Sequence, residues 1–286
     1  MAGSLTAHQI DSFKQDGFLF PIRVADEPTV NGWRSNIESL ELEWRDDTSL
    51  RRPFTDYARA NFHLVSSTAA RLAHDQAVLD AVESIIGPDI LCWMSELIIK
   101  EPHSSKVLTM HQDLTYWGLD GADHLVSAWV ALSDATTENG AMRFVPGSHL
   151  AGQIEHRDTF GSDNLLSRGQ EVVVDVDPDD EVPVELRAGE MSLHHGHMFH
   201  GSGPNRTDGR RIAMVFRFMS PSVRQTVGVE DYAMTVRGSN TSHHVHATAV
   251  PFNDFSSASL AMHARVTAAQ ERALTAGTAD QVSYLR

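Results

Sequence analysis

His111-Gln112-Asp113 is answered far downstream by His200 and then Arg211, so a chain that uses these residues together must bring two distant segments to one point. Two imidazoles and one carboxylate are the ligand set of a mononuclear non-haem Fe(II) site, in which one face of the ion is held and the other positions stay open. Side chains at i and i+2 of an extended segment share a face, so His111 and Asp113 can converge on one ion while Gln112 points elsewhere. His200 has to arrive from another strand, and closure of a barrel would bring it. An arginine beyond the last ligand adds a planar fork able to grip a carboxylate.

The surrounding pattern agrees with such a barrel. From Ile90 onward the chain reads as short strands: Leu91 to Lys100, Val126 to Leu132, Ala141 to Val145, Glu171 to Val176, Val182 to Leu186, Met191 to His200 and Arg211 to Phe218. Turn chemistry separates them at Glu138-Asn139-Gly140, which reads as a hairpin, at Pro146-Gly147-Ser148, at Gly189 and through Gly201 to Gly209. The first hundred residues read mainly as helices. Thr6-Ala-His-Gln9 resembles a capping box opening a helix that ends near Gly17, Pro28 opens a second running to about Trp44, and Ser67 to Ile86 has apolar residues at helical spacing. The end, about Ser257 to Ala276, is helical again. The expected fold is mainly β with flanking α-helices around a barrel or jelly-roll core. We expect a single domain over 1–286, with a helical region over about 1–88, a β core over about 89–221 and an extension with a helix over about 222–286.

Bulk properties narrow the partners. The formal net charge of −15 argues against nucleic acid or an anionic membrane surface as the main partner. The one cysteine, Cys92, leaves no intramolecular disulfide and fits a reducing compartment. No apolar run reaches the roughly eighteen residues of a spanning helix, and Met1 to Gln15 lacks a signal-peptide core. The expectation is a cytoplasmic protein acting on a small molecule, with its oligomeric state open.

Four histidines compete for the downstream ligand role: His194, His195, His197 and His200. Alternation along a strand groups His194 with His200 and His195 with His197 but does not choose between them. Arg211 opens the apolar strand Ile212-Ala-Met-Val-Phe-Arg-Phe218, and the turn-rich run from Gly201 to Gly209 would fold it back near His200. A buried arginine there needs an anionic partner. Either a carboxylate of the protein or the C5 carboxylate of 2-oxoglutarate would serve.

His111-Gln-Asp with Leu-Thr-Tyr-Trp117, then Glu138-Asn-Gly-Ala-Met-Arg-Phe-Val-Pro-Gly-Ser-His149, then His200-Gly-Ser-Gly-Pro-Asn205 and Arg211 resemble the phytanoyl-CoA dioxygenase superfamily over roughly Thr6 to Pro221. The resemblance implies a double-stranded β-helix and an Fe(II)- and 2-oxoglutarate-dependent oxygenase that consumes O2, with ascorbate as an aid to turnover. It assigns His111, Asp113 and His200 to the iron and Arg211, rather than Arg210, to the oxoglutarate. Ser202 and Trp129 match positions lining the oxoglutarate pocket, and Trp117 matches an aromatic near the metal. Related halogenases lack the carboxylate that Asp113 retains, so the resemblance implies hydroxylation, releasing succinate and CO2.

With Trp129-Val-Ala-Leu-Ser-Asp134, the motif set resembles bacterial members acting on small molecules, which suggests an aminophosphonate or another small anionic or zwitterionic substrate. Arg217 shares a strand face with Arg211 and would either approach such an anion or sit in an ion pair. Arg143 and Arg237 are weaker candidates, and His103, His243 and His244 either line the entrance or are solvated. Two alternatives stand beside this reading. One is a natural-product tailoring oxygenase whose outcome is hydroxylation, desaturation or cyclisation. The other is a metal-binding β-barrel protein without catalysis, in which His195 or His197 closes the site as a fourth ligand.

Overall fold

Thr6 opens the first helix by the reciprocal bonds its spacing predicts. Its hydroxyl accepts from the Gln9 backbone amide at 3.3 Å, and the Gln9 side-chain Oε1 accepts from the Thr6 backbone amide at 2.9 Å. The helix, α1 (Ala7–Asp16), stops at Gly17, whose φ of +83° favours glycine. The computed structural model describes residues 4–159, 164–166, 169–228 and 230–275. The other helices are α2 (Glu27–Trp44), α3 (Phe54–Arg59), α4 (Ser67–Ala73), α5 (Gln76–Ile86) and α6 (Ser257–Leu274). The strands are β1 (Phe18–Arg23), β2 (Ile90–Lys100), β3 (Leu108–His111), β4 (Leu125–Ala131), β5 (Met142–Phe144), β6 (His156–Asp158), β7 (Gln170–Val172), β8 (Val182–Val184), β9 (Glu190–His195), β10 (His200–Ser202), β11 (Arg211–Met219), β12 (Asp231–Arg237) and β13 (Val245–Ala247).

A seven-stranded sheet in the order β1-β9-β4-β11-β2-β12-β13 faces a four-stranded sheet in the order β3-β10-β5-β8. Together they form a double-stranded β-helix. The alternation of side chains sorts the large sheet into two faces. Val126, Ala128 and Val130 of β4, Ile212, Met214 and Phe216 of β11, and Leu97 of β2 pack into one core with Val30 and Ile37 of α2, Leu72 of α4 and Val78 and Val82 of α5. Trp129, Ala131, Ala213 and Val215 turn the other way and pack with Met142 and Phe144 of the small sheet. The helices therefore back the sheet, and the space between the sheets is left for chemistry.

Several expectations are corrected. The stretch from Ser67 to Ile86 is two helices, because the Asp75 carboxylate accepts from the Ala77 and Val78 amides and starts α5 afresh. The helical N-terminal region contains a strand, β1, which pairs with β9 at the sheet edge. Glu138-Asn139-Gly140 reverses the chain but makes no hairpin: β4 pairs with β9 and β11, while β5 pairs with β10 and β8 in the other sheet. Met191 to His200 is likewise two strands, β9 and β10, one in each sheet. No described helix is long and apolar enough to cross a membrane.

Two histidines buried in the frame make its stability sensitive to pH. His63 hydrogen-bonds the Ser95 hydroxyl at 2.9 Å, and burial pushes its pKa from 6.5 down to about 3. His263 Nε2 meets the Ala60 carbonyl at 2.7 Å, and burial lowers its pKa to about 4. The unfolded chain takes up protons below about pH 6.5 that the folded chain refuses until about pH 4. Their contribution is therefore full above pH 6.5 and is lost as pH falls, each at up to about 1.4 kcal/mol per unit. The melting midpoint is expected to drop by several degrees between pH 7 and pH 5. A flat profile over that range, followed by circular dichroism, would contradict the account.

Candidate active site

The cross-strand register brings the downstream histidine to the upstream pair. β3 and β10 are neighbours, and His111 lies directly opposite His200. Their rings stand 4.1 Å apart between centroids. Gln112 stays extended, so Asp113 returns to the face of His111 before a short 3-10 turn, Asp113–Tyr116, carries the chain away. Gln112 points off as expected and donates to the carbonyls of Gly152 and His197. Asp113 Oδ1 lies 3.8 Å from His111 Nε2 and 3.7 Å from His200 Nε2. The ligand atoms of His111, Asp113 and His200 all fall within 4.8 Å of one another, the one such grouping among the described residues.

The protonation states suit a cation. Burial pushes His111 down to about 3 and His200 to about 4, so both are neutral at ordinary pH and keep a lone pair. Each fixes its tautomer by placing Nδ1 against a backbone carbonyl, that of Thr109 or Met198, which leaves Nε2 facing Asp113. Burial alone would raise the Asp113 pKa, but Arg217, His200 and His194 outweigh it and hold the carboxyl well below the usual range. Oδ2 of Asp113 accepts from the Ser127 hydroxyl at 2.7 Å and lies 3.3 Å from His194 Nε2.

Arg211 begins β11 on the same inward face. It is 1% exposed, and its Nε and Nη2 have no hydrogen-bond partner among the described residues. Its guanidinium lies 5.2 Å over the Trp129 ring. Burial lowers its pKa to about 10, which leaves it charged at neutral pH. Arg210 does not line the cavity of the triad and is paired with Glu41 and Glu101, at 2.9 and 2.8 Å. Ser202, Trp129, Trp117 and Arg211 line one cavity with the triad, with a volume of about 360 Å³. That volume suits a small-molecule site.

The remaining candidates are distributed unevenly. Arg217 lines the same cavity, in an ion pair 2.7 Å from Glu96 and 3.5 Å from Asp113 Oδ1, with its guanidinium 5.4 Å from the Trp117 ring. Arg143 is paired with Glu181, and Arg237 with Asp80 and Glu83, so neither reaches the cavity. His103 is exposed beside Asp208, and His243 and His244 line a separate cavity with Arg224. The His195 ring lies tilted against those of His197 and His149, at 5.5 and 5.2 Å between centroids, and neither His195 nor His197 lines the triad's cavity.

Sequence reasoning missed three residues. Lys100, fully buried and paired with Arg211 in the β2–β11 register, donates to the Ser202 hydroxyl at 2.8 Å and to the Gly203 carbonyl. Glu96 on the same strand and Ser127 on β4 also face inward. Alternation along β2 and β4 could have found all three once one inward residue was known. Burial, then Arg211 and Arg143, push Lys100 down to about 6. Between that value and the ordinary 10.5 the unfolded chain holds a proton that the fold rejects, so the cost to stability is full below about pH 6 and fades as pH rises. Lys100→Met is expected to raise the melting midpoint of the ligand-free protein, more at pH 7 than at pH 9.5. An equal or reversed effect at the two pH values would refute this.

A family model described as phytanoyl-CoA dioxygenase (PhyH) matches residues 13–213. Peroxisomal phytanoyl-CoA dioxygenase of Homo sapiens is 30% identical over 235 residues, covering 76% of this chain and 69% of that protein. L-Proline trans-4-hydroxylase of Streptomyces griseoviridis is 25% identical over 239 residues, covering 75% of this chain and 88% of that protein. Among solved structures, a non-heme monooxygenase, ThoJ, in its apo form matches with a TM-score of 0.82 and 35% identity, covering 93% of this chain and 97% of that one. The chain spans about half the length of several Caenorhabditis and Danio rerio relatives that it matches.

Proposed function

Since the chain belongs to the phytanoyl-CoA dioxygenase family, we propose that it is an Fe(II)- and 2-oxoglutarate-dependent oxygenase that hydroxylates a small organic substrate. The observation that carries this reading is the joint placement of the triad and Arg211 in one cavity. Two neutral imidazoles and an ionised carboxylate are a donor set for Fe(II), and buried guanidinium donors with no partner among the described residues fit the distal carboxylate of 2-oxoglutarate. His111, Asp113 and His200 would hold the metal. Arg211 would hold the co-substrate, with Ser202 and Lys100 beside it and Trp129 against the guanidinium. Bound together, iron and 2-oxoglutarate supply the oxidising chemistry, converting the co-substrate to succinate and CO2 while an oxygen atom from O2 enters a substrate C–H bond.

The chain's own part is to orient and to exclude water. Phe54 and Ala58 of α3, Met94 of β2, and Leu165 and Leu166 give the cavity that holds the triad an apolar lining. Such a lining positions a substrate carbon and keeps bulk water from the reacting face. Arg217 is already paired with Glu96 and Asp113, and Glu41 and Glu101, which also line the cavity, are paired with Arg210. With these charged groups already paired, the cavity suits a small zwitterion, an aminophosphonate or an amino acid among them.

Anaerobic Fe(II) followed by 2-oxoglutarate should give a weak visible charge-transfer band, and O2 with a true substrate should then yield succinate in proportion to product. A product mass gain of about 16 Da indicates hydroxylation, and a loss of about 2 Da indicates desaturation or ring closure. No band and no succinate from any substrate in a panel of amines, amino acids and aminophosphonates would sink the proposal in favour of a closed metal-binding barrel.

A further inference from the structure

The two oxygens of Asp113 have different surroundings. Oδ1 faces the point between the His111 and His200 rings, with Nε2 atoms at 3.8 and 3.7 Å, and Arg217 Nη2 lies 3.5 Å from it. Oδ2 is turned toward the large sheet, where Ser127 Oγ donates to it at 2.7 Å and His194 Nε2 stands at 3.3 Å. Ser127 and His194 are directly opposite each other in the β4–β9 register, and both are buried, at 0 and 1% exposure. His194 Nδ1 has no partner among the described residues. A donor role for Nε2 toward Asp113 is therefore the one polar contact that accounts for this histidine.

We propose that Ser127 and His194 are positioning residues that hold Asp113 as a one-oxygen ligand, by engaging Oδ2 so that only Oδ1 is presented between the two imidazoles. The assignment rests on the iron reading of the triad. Its consequence is geometric. Three ligand atoms leave three adjacent positions of an octahedral ion open, enough for a chelating co-substrate and O2. A carboxylate free to rotate could place its second oxygen on the ion and take one of them. Two donors on Oδ2, from strands locked in register, oppose that rotation. This also explains why His194, close to His200 in space at 4.7 Å between ring centroids, is not a ligand: its Nε2 is committed to the carboxylate.

The test uses Ni(II) as a redox-inert probe, with the visible band of the anaerobic Fe(II)–2-oxoglutarate complex as a second readout. Ser127→Ala and His194→Phe are each expected to weaken Ni(II) binding about tenfold, and the double variant about a hundredfold, since partners of this kind contribute on that scale. His194→Gln, which keeps a side-chain donor, should stay close to the wild type. The band maximum should shift in the variants lacking a donor and remain in place in His194→Gln, a pattern that loss of packing alone would not produce. If the double variant does not fold, the contrast between His194→Phe and His194→Gln decides the matter. Wild-type affinity and an unmoved band in Ser127→Ala and His194→Phe would overturn the assignment while leaving the iron reading intact. A wild-type protein that binds no Ni(II) would overturn both.

Discussion

Asp113→Ala should lower substrate-dependent succinate formation about a thousandfold, equivalent to about 4 kcal/mol of lost transition-state stabilisation. The carboxylate is the one anionic member of the triad, and its removal leaves two neutral imidazoles to hold a dication. Arg217 also loses a contact at 3.5 Å, leaving its guanidinium beside the cavity with Glu96 alone. Ser127 and His194 lose their shared acceptor, and a buried donor without a partner adds about 1–3 kcal/mol of desolvation cost each. Asp113→Asn separates these effects. It keeps an oxygen for Ser127 but not the charge, so it should retain more of the fold's stability while metal affinity still falls. Succinate formation, metal content and the melting midpoint, measured on the same preparations, resolve the three quantities. Normal turnover in purified Asp113→Ala with unchanged iron occupancy would remove Asp113 from the site.

Much of this site was legible because ligand identity and strand alternation are local properties. His111 and Asp113 announced themselves at i and i+2, and the intervening Gln112 does point away. The choice among His194, His195, His197 and His200 was not local. Two sheets divide that stretch between β9 and β10, so alternation across it had no meaning, and only the pairing of His200 opposite His111 separates the four. The same long-range pairing hid β1, whose residues join a sheet edge supplied by β9, and it turned the Asn139-Gly140 turn from a hairpin into a crossover between sheets. Lys100 was invisible for a different reason. A lysine at the end of an apolar strand ordinarily reaches solvent, and nothing near it in sequence shows that Ser202 and Gly203 close over its amino group. Helix starts fared better: Thr6 acts on an amide three residues away, and Pro28 falls in the first turn of α2, whose cap is Asp26. The break at Asp75 obeys the same rule but lay inside an unbroken apolar period.

Arg211→Ala should raise the KM for 2-oxoglutarate about a hundredfold or more while leaving metal binding unchanged. A charge-assisted hydrogen bond contributes about 1.5–3 kcal/mol, and a bidentate pair with a carboxylate makes two. Even the lower figure, applied twice, corresponds to about two decades. Arg211 meets the conditions for that full effect: it is 1% exposed, with Nε and Nη2 unpartnered among the described residues, and its guanidinium lies 5.2 Å over the Trp129 ring. Its pKa of about 10 keeps it charged across the working range, so the effect should not vary between pH 6 and pH 8. Arg211→Lys should recover little of the loss, because a point charge lacks the planar fork. Arg210→Ala is the internal control. Its guanidinium pairs with Glu41 and Glu101 and does not itself line the cavity, and its loss should leave the KM for 2-oxoglutarate within about twofold, as expected for partly exposed ion pairs. Equal effects at the two positions would show that the neighbouring arginines act through local folding rather than through a carboxylate held at Arg211.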